Sequence, residues 1–228
     1  MIYKNWEPFY IKILDDFNFS IENDEKSAKI LDKILQKQDI NLLKKLLCNK
    51  DVVVFGAGPS LEQSIIVHKK KIENMVKISA DGATSALLKN NVVSDIIVTD
   101  LDGKISDQIN SNKNDSISVI HAHGDNIENI KKYVPQFKGI IFGTTQTNPQ
   151  PFDNLYNFGG FTDGDRAVFL ADHFQAKKIY LIGFDFNAEI GRYSFTNDKN
   201  KNQKLKKLKW CKYLLEELNK NNSNIQYL

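Results

Sequence analysis

The sequence is poor in the residues that staple a chain together. Only two cysteines occur in 228 residues, Cys48 and Cys211, far apart and without metal-ligand spacing, which excludes a disulfide framework and argues against a zinc site. Such scarcity fits a reducing cytosol. Long apolar runs are missing as well: none approaches the roughly 20 residues that cross a bilayer. The first residues carry neither a basic segment nor an unbroken apolar stretch, because Asp15 and Asp16 interrupt it, so no leader is expected. A soluble, cytoplasmic protein is the expectation. Nor is there a surplus of charge. Lys and Arg number 31 against 28 Asp and Glu, a net charge of +3, too even to draw nucleic acid or a membrane by charge alone.

What is present suffices to build a core. With 41% hydrophobic residues, a chain of this length forms one domain with a smaller appendage more readily than two equal domains. Ile2, Trp6, Phe9, Tyr10, Ile13, Leu14 and Phe17 recur at helical spacing. A second helix follows, with Asp24 as its expected cap and Ile30, Leu31, Ile34 and Leu35 as its apolar face; Leu42, Leu43, Leu46 and Leu47 give a third stripe. These helices precede every strand, so residues 1–50 are expected to form a small helical subdomain. From residue 51 strands and helices alternate, with apolar runs over 52–55, 75–79, 96–98, 117–120, 139–142 and 178–183. That alternation predicts an α/β domain over 51–200, a mainly parallel sheet with helices on both faces. A polar loop over 188–203 leads to a closing basic helix, 201–228, packed on that domain.

The strand ends carry the chemistry. In SDIIVTDLDGK (94–104) a short apolar run stops at Asp100, Leu101, Asp102, Gly103, delivering two carboxylates to the carboxyl end of a strand, where open parallel sheets bind ligands. Two acids there suit a hard divalent cation such as Mg²⁺; the same residues would also serve a tight turn and cap. Asp81, in SADGAT, ends the preceding strand and suits either a metal or a ribose hydroxyl. Gly56, Gly58 and Ser60 form a glycine-rich turn into a helix, whose amides suit phosphate oxygens, and Ser60 with Gln63 has capping-box spacing. The third glycine of a dinucleotide fingerprint and the lysine of a P-loop are absent. His121 and His123 alternate on one strand, as polar groups at a crevice rim rather than as a transition-metal pair. Thr162 and Asp165 have N-cap spacing, yet Gly, Thr, Asp163, Asp165 and Arg166 are more than one cap requires. Asp185 between Phe184 and Phe186 could meet a flat heterocycle, although core packing explains both rings. Lys201, Lys204, Lys206, Lys207 and Lys209 lie at the unfavourable end of a helix dipole, as a solvated face or as a clamp on polyphosphate.

FGAGPSLE, SADGATSALL, DIIVTDLDG, HAHGDN, FGGFTDGDRAV and IGFDF, in this order, resemble the archaeal 6-hydroxymethyl-7,8-dihydropterin diphosphokinase family (MptE-like), over nearly the whole chain. The Asp-Gly and Asp-x-Asp segments are also similar in kind to those of thiamine pyrophosphokinases. The resemblance implies a thiamine-pyrophosphokinase-like, Rossmann-like fold and Mg²⁺-dependent transfer of diphosphate from ATP to the hydroxymethyl group of a reduced pterin, releasing AMP, in tetrahydromethanopterin or folate-type synthesis. Its partners would be small molecules, with neither nucleic acid nor membrane, and a homo-oligomer is compatible with it. For that chemistry Asp81, Asp100 and Asp102 are expected to hold the metal. Gly56, Gly58 and Ser60 would offer amides, while Thr162, Asp163, Asp165 and Arg166 would orient ATP or a second ion. Asp185 is counted with the nucleotide contacts, and His123 or an aspartate would act as base. Two rivals remain: a nucleotide-sugar glycosyltransferase of the same broad domain family, whose long extra regions are missing here, and a non-catalytic nucleotide-binding module, which leaves the strand-end acids unexplained.

Overall fold

The computed structural model describes residues 3–186, 190–194, 201–221 and 224–228. Three helices come first, α1 (Tyr3–Phe17), α2 (Ile21–Ile34) and α3 (Asn41–Leu47). The alternating part follows as β1 (Asp51–Phe55), α4 (Leu61–Ile72), β2 (Val76–Ala80), α5 (Ala83–Lys89), β3 (Ile96–Thr99), α6 (Ile105–Lys113), β4 (Ile117–Ala122), α7 (Ile127–Tyr133), β5 (Ile141–Thr145), β6 (Leu155–Tyr156), α8 (Asp163–His173), β7 (Lys178–Ile182), α9 (Lys201–Asn221) and β8 (Ile225–Tyr227). The strands form one sheet in the order β6-β5-β4-β3-β2-β1-β7-β8, and every pair is parallel. The expected α/β architecture is therefore present, with parallel pairing throughout.

Parallel strands are covered on both faces, which is why their sequences run apolar without alternation. Val54, Ile78 and Ile96 stand in register and pack with Val52 under α1, α3, α8 and α9. On the other face Val53 and Phe55 meet Leu61 and Ile65 of α4 and Leu87 of α5, while Ile120 and Ala122 meet Ile109, Ile130 and, from α2, Ala28 and Leu31. The chain moves outward from β1 to β6 and then crosses back to place β7 on β1's other side. The strand order reverses there, so the crevice at the carboxyl ends of β1 and β7 is the expected place for a ligand. Among the described residues no helix is long and apolar enough to cross a membrane.

The prefix, expected as a small helical subdomain packing on the sheet, lies against both of its faces. Trp6, Ile13, Leu43 and Leu47 are fully buried with the sheet residues of one face, whereas α2 covers the other; a stripe of apolar residues on each helix finds the sheet, the largest apolar surface available. Asp24 is not the cap of α2. Ser20 is, accepting from the Asn23 amide, and Asp24 lies buried one turn further on. At the other end, 201–228 is more than a helix: after α9, β8 adds an edge strand to β7. Of the loop expected over 188–203, residues 187–189 and 195–200 lie outside the described residues, Arg192–Ser194 forms a single 3₁₀ turn and α9 already begins at Lys201. Because α1 to α3 complete both faces, a chain beginning at Asp51 is predicted to lack a cooperative melt by circular dichroism. A fragment that melts sharply near the full chain's midpoint would show the prefix to be separable.

Candidate active site

The turn after β2 and the turn after β3 build the floor of the site together. Asp81 sits at φ +40°, and its Oδ1 accepts from the Thr99 hydroxyl (2.9 Å), the Gln108 side-chain amide (2.7 Å) and the Gly103 amide (3.2 Å). Gly103 permits that approach, since a Cβ there would stand 2.3 Å from Asp81 Oδ2. Between the two acids of β3's end, Leu101 turns the chain at φ +69° and buries its side chain. Asp100 is thereby left inside and Asp102 open to the cavity. Asp163 arrives from the first turn of α8. One oxygen from each of Asp81, Asp100, Asp102 and Asp163 lies within 4.8 Å of the others. Asp163, expected as a nucleotide or second-ion contact, thus joins the three acids expected around a metal. The donor set fits a hard cation, being all oxygen, and Asp100 Oδ1 is buried with no hydrogen-bond partner.

Charge in this cluster is unevenly shared. Burial, then the charges of Asp163 and Asp100, push Asp81 up to about 6. Desolvation, then Asp100 and Asp81, push Asp102 to about 8, and burial with the charge of Asp100 lifts Asp163 well above the usual carboxylate range. Asp100 goes the other way. Burial opposes its ionisation, but a 3.2 Å hydrogen bond from His123 and the charges of His123, Arg166 and Lys207 outweigh it and hold the group well below that range. The cluster thus retains protons where a cation would displace them.

A cationic wall faces the acids. Arg166 is 7% exposed; its Nη1 donates to Asp163 Oδ1 (3.1 Å), its Nη2 to Gln146 Oε1 (3.5 Å), and its Nε has no partner. From α9 only Lys204 and Lys207 of the lysines line the same cavity, while Lys206 pairs with Asp16. Behind the wall stands Asp24, which accepts from Tyr10 Oη, Gln146 Nε2 and the Gly124 amide, each at 2.7 Å. An ionised carboxylate only accepts, so Asp24 fixes the Gln146 amide with its nitrogen inward and its oxygen toward Arg166. Through Gly124 it also anchors the loop that carries His123. Asp24 and Gln146 were missed in the sequence, where one looks like a cap and the other like an ordinary loop residue.

Several expected ligands are engaged elsewhere. The Gly56 and Gly58 amides bond the carbonyls of Ile182 (2.8 Å) and Gly183 (2.9 Å), closing the β1–β7 seam so tightly that a Cβ on Gly183 would stand 2.3 Å from Gly56 O. They are not free for phosphate. Ser60 does not cap α4; its amide and hydroxyl donate to Asp185 Oδ2 at 2.9 and 2.8 Å. Asp165 completes a capping box with Thr162, accepts from the Phe161 and Thr162 amides at 2.7 Å and is fully buried, so it faces the cap and not the cavity. Thr162, Asp163, Arg166 and Asp185 do line the cavity, as do Asp81, Asp100, Asp102 and His123. The His123 ring uses Nε2 on Asp100 and accepts at Nδ1 from the Asp125 amide (3.4 Å). The ring thereby stands as Asp100's partner at the edge of the cluster.

A parallel sheet with carboxylates and cations converging at the carboxyl ends of its strands gives an α/β fold with an acidic cluster that could hold a metal ion. The family model for 6-hydroxymethylpterin diphosphokinase MptE-like proteins matches residues 16–191, and the chain belongs to that family. It is 44% identical over 99% of its length to a 6-hydroxymethyl-7,8-dihydropterin pyrophosphokinase of Methanocaldococcus jannaschii, covering 98% of that protein. It is 43% identical over 97% of its length to one of Pyrococcus furiosus, covering 96% of it. Among solved structures, the MAf glycosyltransferase of Magnetospirillum magneticum shares the fold at 14% identity, with a TM-score of 0.51 over 76% of this chain and 29% of that one.

The raised acids set a pH dependence. Asp81 and Asp102 are higher in the folded chain (about 6 and about 8) than the ~3.9 of an unfolded aspartate, so the stability they contribute is full below about pH 4 and is lost as pH rises toward about 8. Asp100, held low, acts oppositely but only in acid below about pH 4. The melting temperature without metal is therefore predicted to fall between about pH 5 and pH 8, and Mg²⁺ should restore it most at the alkaline end. A midpoint insensitive to both would contradict this electrostatic account.

Proposed function

We propose that the protein moves the terminal diphosphoryl group of ATP to the hydroxymethyl oxygen of 6-hydroxymethyl-7,8-dihydropterin, releasing AMP, in the synthesis of a tetrahydromethanopterin or folate-type pterin. The observation that carries this reading is the meeting of four carboxylates with Arg166, Lys204 and Lys207 in one crevice. Acids alone would repel a polyphosphate. Together with the cations they suit one that arrives with a divalent ion. The relatives' names supply the acceptor.

Mg²⁺ fits this donor set, and Asp81, Asp100, Asp102 and Asp163 would hold it; when bound, it supplies neutralisation of charge on the transferring group. The chain's own residues do the rest. The hydroxymethyl oxygen forms a bond to the β-phosphorus while the bond from that phosphorus to the oxygen bridging the α-phosphate breaks, and the electron pair leaves with AMP. Arg166, immobilised by Asp163 and Gln146, presents a fixed positive charge to the phosphate oxygens, and Lys204 and Lys207 line the same cavity. The proton of the alcohol passes to His123 or to a carboxylate of the cluster, ionised once the cation is bound. His123 keeps Asp100 ionised and in place.

The direct test is incubation with ATP, Mg²⁺ and the reduced hydroxymethylpterin: AMP is the expected product, and ADP or neither would overturn the reading. Asp100→Asn and Asp102→Asn should each lower kcat roughly 100-fold or more. Their stabilities should diverge. Without metal, Asp102→Asn raises the melting temperature by relieving repulsion, whereas Asp100→Asn lowers it by removing His123's partner. Normal turnover in both variants would reduce the turn to architecture.

Asp24 offers a separate test of positioning. Asp24→Asn should lower kcat about 10-fold, as loss of a partner behind a ligand does, because Gln146 is no longer held with its oxygen toward Arg166. Adding Gln146→Glu, which reverses the polarity of that hydrogen bond, should restore most of the rate of AMP release. A variant that loses only melting temperature, with kcat intact, would make Asp24 merely structural.

A further inference from the structure

The cavity that holds the aspartate cluster is also lined by Ala57, Phe184, Asp185, Phe186 and Gly191 at the β1–β7 seam. In open α/β sheets the first strand-to-helix turn commonly takes a nucleotide's phosphates on free amides. Here that place is filled. The Gly56 and Gly58 amides bond carbonyls of β7 and the residue after it, and the Asp185 carboxylate occupies the start of α4, accepting from the Ser60 amide and hydroxyl. A Cβ on Gly58 would stand 2.3 Å from Asp185 Oδ2, so the glycine makes room for a carboxylate and not for a phosphate. An anion at the seam would meet like charge. A neutral ring rich in donors would not.

We propose, resting on the pterin reading above, that Asp185 is the specificity-determining residue that reads the amino-pyrimidinone edge of the pterin, with the half-buried rings of Phe184 and Phe186 as the apolar walls of that subsite. The two rings stand 6.4 Å apart between centroids at 59°. Ser60's two donors take both lone-pair sites of Asp185 Oδ2, whereas Oδ1 carries no hydrogen bond among the described residues and keeps both of its own. Pterin presents its 2-amino group and N3–H side by side, two donors that converge on Oδ1. Adenine sets its amino group beside an acceptor nitrogen, which a carboxylate repels. The phosphates then belong beside the aspartate cluster, where Arg166 and Lys207 act on Asp100.

Ser60 makes the proposal sharply testable, because it fixes the orientation of an amide placed at 185. In Asp185→Asn the amide oxygen must stay on Ser60's two donors, so the NH₂ turns to the ligand and donor meets donor. A lumazine, with a carbonyl in place of the 2-amino group, would be welcomed instead. Equilibrium titration by fluorescence, without ATP, with the 6-hydroxymethyl-7,8-dihydro forms of pterin and lumazine reads this directly. Asp185→Asn should weaken pterin binding about 100-fold or more and reverse the preference between the rings, while KM for ATP in AMP release stays unchanged. Ser60→Ala, which removes one orienting donor, should weaken pterin about 10-fold. An unaltered ring preference in Asp185→Asn, or a raised KM for ATP with pterin binding intact, would overturn the assignment. Ring preference that reverses in a protein releasing no AMP would instead overturn the proposed activity and leave the subsite standing.

Discussion

Four aspartate carboxylates brought within 4.8 Å of one another repel, and in a crevice of intermediate polarity each ionised pair costs on the order of a few kcal/mol. The surrounding structure is arranged to hold them there. His123 and Arg166 each take one carboxylate, two lysines of α9 line the facing wall, and the proton-retaining acids soften what repulsion remains. No hydrophobic argument would place four acids at this point. A fold tolerates such a cluster when something cationic meets it, and the all-oxygen donor set, with one buried oxygen left unpartnered, fits a hard cation.

That constraint explains why the helical prefix is tied to the sheet rather than appended. Trp6 donates to the Gln146 carbonyl at 3.0 Å, Tyr10 to Asp24, and Asp24 to neither but accepts from both Gln146 and Gly124. One buried carboxylate on α2 thereby orients the side chain behind Arg166 and the loop bearing His123. The two groups that balance the acid cluster are set by the same residue, which lies outside the cavity.

Much of this was legible in the sequence where the signal is local. Buried parallel strands read as continuous apolar runs, and the acids that end them, Asp81, Asp100 and Asp102, stand out because charge follows apolar residues so abruptly; the Thr162–Asp165 cap was legible from its three-residue spacing. What escaped depends on distant partners. Gly56, Gly58 and Ser60 look like a phosphate turn until Gly183 and Asp185, some 125 residues away, occupy their donors. Asp24 has the composition of a cap, and only its contacts with Gln146 and Gly124, 122 and 100 residues on, reveal its place. The strand β8 is three residues long with two of them exposed, too short for any periodicity, and it exists because β7 offers an unpaired edge.

The central claim is that these carboxylates form one cation site that trades protons for metal. Calorimetric titration of the protein with Mg²⁺ at neutral pH, in two buffers of different ionisation heat, measures both the ion and the protons it displaces. The account predicts a single binding event that releases protons, with the release diminished in Asp102→Asn. Binding without proton release, or no binding at all, would contradict it.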